Sequence, residues 1–108
     1  MIKIAEIPQK EVIKGFTARF VHTENLTLGY WDATEGAILP MHSHFREQIT
    51  TVIEGKFELT IGEETQVYEA GLVAVIPPHV LHGGKALTDC KLFDIFSSVR
   101  DDYKALGS

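Results

Sequence analysis

The sequence predicts an all-β domain, and three observations indicate this class. Short apolar runs alternate with polar residues, turn residues separate the runs, and no stretch before the last few residues has the apolar spacing of three and four that marks a helix. A chain of 108 residues is long enough for one core and too short for a second domain. We therefore predict one domain over residues 1–108, built as a sandwich or as a closed barrel without exposed sheet edges.

Eight segments have the alternation expected of a strand. In chain order they are residues 2–7, 16–22, 26–33, 48–53, 56–61, 65–68, 72–76 and 91–96. Gly55 and Gly62 stand between paired runs, where hairpin turns favour glycine. Residues 100–108 have little apolar content, so we expect a helical turn or a frayed end there.

Composition and charge exclude several classes of function. The net charge is −5 and no stripe of Lys and Arg is present, which argues against a nucleic-acid partner. Residues 1–15 mix apolar with charged positions, so we expect no signal peptide and no membrane span, and we predict a cytoplasmic protein. Cys90 is the only cysteine, which excludes an internal disulfide and fits a reducing compartment.

Four side chains are candidate ligands for one divalent metal ion: His42, His44, Gln48 and His82. In an extended chain the first three share one parity and would face the same side, whereas Glu47 would face the other. Three imidazoles and one oxygen ligand suit Zn, Ni, Co, Fe, Mn or Cu without choosing among them. A neutral amide leaves the ion its full charge and makes it a stronger Lewis acid. The alternative is a set of surface and turn residues; the set taken together favours the metal.

Two segments around these residues resemble the two motifs of the cupin superfamily. Residues 36–55 read Gly, five residues, His-Ser-His, three residues, Gln, six residues, Gly. Residues 71–86 contain Gly, five residues, Pro, one residue, His, two residues, His. The resemblance implies a single cupin domain, a double-stranded β-helix or jelly-roll barrel, with the metal held inside it by His42, His44, Gln48 and His82.

Three positions depart from the motifs without removing a ligand. Gln48 stands where Glu is usual, His79 where Gly is usual, and Ala86 where Asn is common. His79 is a rival ligand because it lies three residues from His82. The register of the motif favours His82 and leaves His79 in a turn or at the rim of the pocket. Arg46 shares the parity of the ligands and either lines the mouth of the pocket or points into solvent.

Residues 93–103 resemble a narrower group, the KdgF-type cupins of pectin degradation. In that group an Asp, a Phe and an Arg near the last strand accompany the metal site, and they correspond here to Asp94, Phe96 and Arg100. Burial would raise the pKa of Asp94 and a nearby cation would lower it, so this carboxyl is a candidate general acid or base. Arg100 offers a planar fork of donors for a substrate carboxylate. The alternative is a structural ion pair between Asp94 and Arg100.

The narrower resemblance implies a metal-dependent enzyme that assists hydration and ring opening of an unsaturated uronate, an anionic sugar, to the linear keto sugar. Two alternatives stay open: a dioxygenase with iron or copper in the same site, and a non-enzymatic metal-containing protein that binds a sugar or effector. Related barrels commonly pair through N-terminal strands, so we expect a homodimer that uses residues 2–7. Trp31 could stack on a sugar ring, although core or dimer packing is favoured for so large an aromatic.

Overall fold

The computed structural model describes residues 1–106; residues 107 and 108, the end of the predicted C-terminal turn, lie outside the described residues. These 106 residues form ten strands, one 3-10 helix at Ile4–Glu6 and one short α-helix. The elements are β1 Lys10–Ile13, β2 Phe16–His22, β3 Thr27–Ala33, β4 Ile38–His42, β5 Gln48–Glu54, β6 Phe57–Ile61, β7 Glu64–Tyr68, β8 Val73–Ile76, β9 His82–Ala86, β10 Cys90–Phe96 and α1 Asp101–Lys104.

The strands form two antiparallel sheets with a jelly-roll topology. One sheet has the order β1-β2-β3-β10-β5-β8 and the other has the order β4-β9-β6-β7. From β3 onward the chain crosses repeatedly between the sheets, which brings the ends of β4, β5 and β9 together. Within residues 1–106 no strand pairing joins the sheets into one hydrogen-bonded ring. The all-β jelly-roll prediction is confirmed, in its two-sheet form.

The core lies between the two sheets and follows directly from the alternation in sequence. Strands β2, β3 and β10 bury every second residue. Phe16 from one sheet meets Phe57 from the other edge to face, with ring centroids 6.1 Å apart. Burying one such side chain stabilises the fold by about 1.5–3 kcal/mol. Cys90 is a small buried side chain in this core.

The predicted strand at residues 2–7 is wrong. Residues Ile4–Glu6 form a 3-10 helix, β1 begins only at Lys10, and Ile2 is 66% exposed. Despite its alternating sequence, this segment pairs with no strand among the described residues. None of the residues in its 3-10 helix is buried. A homodimer stays a prediction, now without an N-terminal strand at residues 2–7 to support it.

Three strands were not predicted, β1, β4 and β9. Strand β4 contains Pro40, which an edge strand tolerates, and β9 contains Gly83 and Gly84, which weaken the strand signal. The other seven predicted strands agree with the structure to within one residue at each end. No helix among residues 1–106 is long and apolar enough to cross a membrane.

Candidate metal centre

Three histidines meet where strands of the smaller sheet begin and end. His42 is the last residue of β4, His82 is the first residue of β9, and these two residues are paired across the sheet. His44 lies in the loop between β4 and β5. One ring nitrogen from each imidazole lies within 4.8 Å of the others. The cluster could therefore hold a metal ion.

The cause of this convergence differs from the parity argument made on the sequence. His42 and Gln48 do not share a strand, because His42 ends β4 of one sheet and Gln48 begins β5 of the other. The loop between them carries the chain across, and His44 lies in that loop. The topology of the jelly roll brings the residues together, so the interpretation of one extended strand was wrong.

Backbone carbonyls fix the tautomer of all three imidazoles. A carbonyl oxygen can only accept, so an Nδ1 atom bonded to it must carry the proton. The three bonds run from His42 to Pro40 (2.7 Å), from His44 to Arg46 (2.8 Å) and from His82 to Val80 (3.0 Å). Each neutral ring is left with an unprotonated Nε2, which is the tautomer that ligates a metal through Nε2.

Gln48 brings an oxygen to the same cluster. Its Oε1 atom lies 3.0 Å from Nε2 of His44, and both atoms are acceptors when Nδ1 of His44 carries the proton. The amide nitrogen of Gln48 donates to Thr50 Oγ1 at 3.0 Å and to Asp94 Oδ2 at 3.3 Å. Two acceptor atoms at this distance repel each other unless a cation or a proton lies near both. The predicted oxygen ligand is therefore next to the imidazole of His44, one member of the cluster.

Burial favours the neutral form of two of these imidazoles, His44 and His82. His82 is 1% exposed, and its Nε2 atom has no hydrogen-bond partner in the structure. Burial lowers the pKa of His82 to about 4, and burial is also the largest cause that lowers the pKa of His44. A buried polar atom left without a partner costs about 1–3 kcal/mol, which a bound cation would remove. Donor type, tautomer and burial all fit a divalent ion.

His79 lies outside this cluster. It is an exposed residue in a left-handed backbone conformation, with φ of 66°. Its backbone N–H donates to the carbonyl of His44 at 2.7 Å, so it fixes the loop that carries His44. Glycine adopts this conformation without strain, which explains why the motif usually has Gly here.

Arg46 ties the same loop to the C-terminal segment. Its guanidinium donates to the carbonyl of Val99 at 3.2 and 3.1 Å, and it lies over the ring of Phe45 at 4.3 Å. It is not among the described residues that line the cavity. We predicted that Arg46 either lines the mouth of the pocket or points into solvent. The structure supports neither position.

A cavity of about 270 Å³ lies beside the histidines, between the two sheets. Its volume is near the lower end of small-molecule pockets, which begin at about 300 Å³. Most of its walls are apolar, and the polar lining residues are His42, Gln48, Thr50, His82, Asp94 and Tyr103. The cavity suits one small ligand whose polar atoms face a few defined groups.

Asp94 is a buried carboxyl in this cavity. It lies on β10 and is 6% exposed; Oδ2 accepts from Gln48, while Oδ1 has no hydrogen-bond partner among residues 1–106. Burial raises the pKa of Asp94 to about 7, against the opposing effects of Thr50, Gln48, Arg100 and Trp31. A carboxyl with a pKa near neutrality can both give and take a proton.

Arg100 lies behind the cavity wall and pairs with the residue two positions later. Its Nε and Nη2 atoms donate to the carboxylate of Asp102 at 2.9 and 2.6 Å. The guanidinium lies 4.6 Å from the ring centre of Phe96 and 3.8 Å from that of Tyr103. Phe96 and Tyr103 line the cavity, and Arg100 does not. Among the described salt bridges none joins Arg100 to Asp94, so the alternative ion pair is not observed.

Tyr103 is a cavity residue that sequence reasoning missed. It lies in α1 and packs against Phe20 and Phe96, with ring centroids 4.7 and 5.7 Å away. The only signal in the sequence was one aromatic residue among charged neighbours in a segment with little apolar content. The helix folds this ring back over the cavity.

The sequence comparison decides the family. The family model of the cupin domain matches residues 29–96, a stretch that contains all three clustered histidines and Gln48. The chain belongs to the cupin family. A comparison with curated proteins gave no significant match.

Solved cupin structures resemble this cupin over nearly its whole length. An RmlC-like cupin from Shewanella frigidimarina NCIMB 400 has 27% identity and a TM-score of 0.87, with 92% of this chain and 90% of that chain covered. KdgF from Halomonas sp. has 31% identity and a TM-score of 0.86, with 92% and 93% covered. Oxalate decarboxylase OxdC from Bacillus subtilis has 22% identity and a TM-score of 0.81, with 92% and 29% covered, and shares the fold alone. The KdgF-like resemblance inferred from residues 93–103 is supported by this comparison.

Proposed function

We propose that this cupin is a metal-dependent enzyme that converts an unsaturated uronate to the linear keto sugar by hydration and ring opening. The observation that carries the proposal is the position of Gln48. Its amide links the imidazole cluster, at 3.0 Å, to the buried carboxyl of Asp94, at 3.3 Å, inside one small cavity. Similarity to KdgF at 31% identity supports a sugar acid as the substrate class.

The ligand set that we propose is Nε2 of His42, His44 and His82 together with Oε1 of Gln48. The donor set accepts Zn, Ni, Fe, Mn, Co or Cu in the divalent state and does not distinguish among them. When bound, such an ion supplies a Lewis acid that polarises substrate oxygens. The side chains hold the substrate in a dry cavity, because most of the lining is apolar.

Asp94 is the proposed general acid and base. Its Oδ2 atom is held by the Gln48 amide, and its Oδ1 atom is free of partners and available for proton exchange with a substrate in the cavity. With its pKa raised to about 7 by burial, the carboxyl can take a proton and return it near neutral pH. Ring opening of an unsaturated uronate requires such proton movement.

Arg100 and Phe96 complete the proposed site. Two of the five N–H donors of Arg100 go to Asp102, which leaves three for other acceptors. We assign to Arg100 the positive charge that attracts the substrate carboxylate from behind Phe96 and Tyr103. Phe96 is 1% exposed and forms part of the apolar wall that keeps water out.

Incubation of the metal-loaded protein with lyase-generated unsaturated uronates tests the proposal. We expect loss of the ultraviolet absorbance of the conjugated double bond and formation of the linear product by mass spectrometry. Asp94→Asn should abolish turnover while metal content persists, and Glu47→Gln, at an exposed position next to the ligand, is the matched control. Activity of Asp94→Asn equal to that of the unsubstituted protein would refute the assignment.

The same incubation separates the two alternatives. Oxygen consumption that tracks bound iron would indicate a dioxygenase, whereas turnover by the zinc form under nitrogen would exclude one. Binding of the uronate without any product after an overnight incubation would indicate a sugar-binding or effector-binding cupin.

A further inference from the structure

Trp31 carries a buried polar atom that makes no hydrogen bond within residues 1–106, although the indole lies close enough to Asp94 to lower the pKa of that carboxyl. The residue lies on β3, lines the cavity and is 7% exposed. Its Nε1 atom is buried and has no hydrogen-bond partner in the structure. An indole N–H can only donate, and a buried tryptophan normally finds an acceptor for it. Phe20 and Tyr103 pack against the indole edge to face, so its ring has neighbours while its N–H has none.

A glycine opposite Asp94 makes room for this indole. Gly29 pairs with Asp94 across strands β3 and β10, and Trp31 lies two residues further along β3 on the same face. A Cβ atom at Gly29 would lie only 2.7 Å from Nε1 of Trp31. The indole therefore lies across the site of the missing side chain, on the part of β3 that faces Asp94. Oδ1 of Asp94 is likewise buried without a partner.

We propose that the N–H of Trp31 donates a hydrogen bond to a ligand oxygen in the cavity, and that the same part of the ligand meets Oδ1 of Asp94. Trp31 is then a specificity-determining residue that favours a ligand with oxygen at this point over one of equal shape without it. The identification of the ligand as a sugar acid rests on the proposed function. The inference about the indole N–H needs only that such a ligand binds in the cavity, and not that it is turned over.

If Trp31 served only to pack against its neighbours, its ring would matter and its N–H would not. Two replacements separate these roles: Trp31→Phe, and an isosteric replacement of Trp31 by benzothienylalanine, which keeps the bicyclic ring and lacks the N–H. Gly29→Ala is a third variant, because it retains the indole and displaces its nitrogen. Phe20→Leu is the packing control, since Phe20 contacts the Trp31 ring without lining the cavity.

The experiment measures binding and turnover with two probes, the unsaturated uronate and saturated D-galacturonate, on the metal-loaded protein. Binding is followed by calorimetry in every variant, and by fluorescence where Trp31 is present, because it is the only tryptophan in the chain. We expect a change in emission on binding. Without the N–H we expect affinity for the bound probe to fall about tenfold, the size of one neutral hydrogen bond, with metal content unchanged. Gly29→Ala should weaken binding similarly, and Phe20→Leu should leave affinity within about twofold while lowering the melting temperature.

Two of the three outcomes separate the proposed reaction from the proposed role of Trp31. A probe that binds tenfold more weakly without the N–H but is never turned over would remove the proposed reaction and leave the role of Trp31 intact. Turnover with unchanged affinity and KM in the benzothienylalanine protein would remove the role of Trp31 and leave the reaction intact. Failure of both probes to bind the unsubstituted protein would overturn both.

Discussion

The side-chain amide of Gln48 donates a hydrogen bond to Asp94 across 3.3 Å, while its oxygen faces the imidazole of His44 at 3.0 Å. One neutral side chain thus contacts both the proposed metal ligands and the proposed acid–base group. A carboxylate at position 48 could ligate a metal as well, but it could not donate to Asp94. An amide at this position, where glutamate is usual, therefore connects the proposed metal ligands with the proposed acid–base group.

Replacement of this amide by a carboxylate tests the coupling. Gln48→Glu should still bind metal, because carboxylate oxygen is a good ligand. Asp94 would lose its donor and gain a like charge, which raises its pKa further. We expect kcat/KM at pH 7 to fall at least tenfold and the ascending limb of its pH profile to move to higher pH. A pH profile that does not move would show that Gln48 does not control Asp94.

The assignment of His82 rather than His79 as a ligand is tested by paired substitutions. His82→Ala should lower the metal affinity at least a hundredfold, because it removes a buried ring whose Nε2 has no protein partner. His79→Gly should leave the affinity unchanged, since His79 is exposed and glycine fits its φ of 66°. Competition with a chromophoric chelator measures both. The reverse order of effects would move the site to His79.

The metal-free protein should show the titration of Asp94 in its stability. The folded-state pKa of about 7 lies above the ordinary value of 3.8, so the folded state holds the proton more tightly than the unfolded state. This contribution to the free energy of unfolding is fully present below about pH 4 and is lost as the pH rises to about 7. Relative to Asp94→Asn, the unsubstituted protein should lose about 1.4 kcal/mol for each pH unit in that window.

Urea unfolding in the presence of a chelator measures this difference between pH 4 and pH 8. The comparison of the two proteins cancels the histidines, whose lowered pKa values act in the opposite direction over an overlapping range. A stability difference that stays constant from pH 4 to pH 7 would contradict a raised pKa at Asp94.

The charge of Arg100 should act on substrate binding and not on the metal. Arg100→Met keeps an unbranched side chain against Phe96 and Tyr103 and removes the charge. We expect KM for the uronate to rise about tenfold with metal content unchanged, because the attraction between the guanidinium and the substrate carboxylate is lost. Asp102→Asn is the control because it retains the Arg100 charge, and it should change KM by less than about threefold. Equal effects from both variants would indicate a purely structural role for the pair.

The larger part of the fold was predictable because burial imposes a period of two on the sequence. Strands such as β3 and β10 bury every second residue over their whole length, so the pattern identified them. The segment at residues 2–7 shows similar alternation but pairs with no strand among the described residues. The sequence pattern alone does not indicate whether a partner strand is available. Strands β4 and β9 were missed because Pro40, Gly83 and Gly84 weaken the strand signal.

The clustering of the three histidines was predictable from the sequence, and its geometry was not. Motif spacing indicated His42, His44 and His82, and the structure brings these three together. Motif spacing could not reveal that the site residues come from two sheets. It also could not reveal that Arg100 pairs with Asp102 and not with Asp94. The positions of Trp31 and Tyr103 at the cavity could not be predicted either, because they depend on the space left at Gly29 and on the short helix α1.

Anomalous diffraction from crystals of protein purified without added metal is the most direct test of the metal centre. We predict one ion per chain at about 2.0–2.2 Å from Nε2 of His42, His44 and His82, with Oε1 of Gln48 as the oxygen ligand. Metal-loaded crystals in which these three nitrogens carry no ion, or in which the ion is bound elsewhere, would contradict the account.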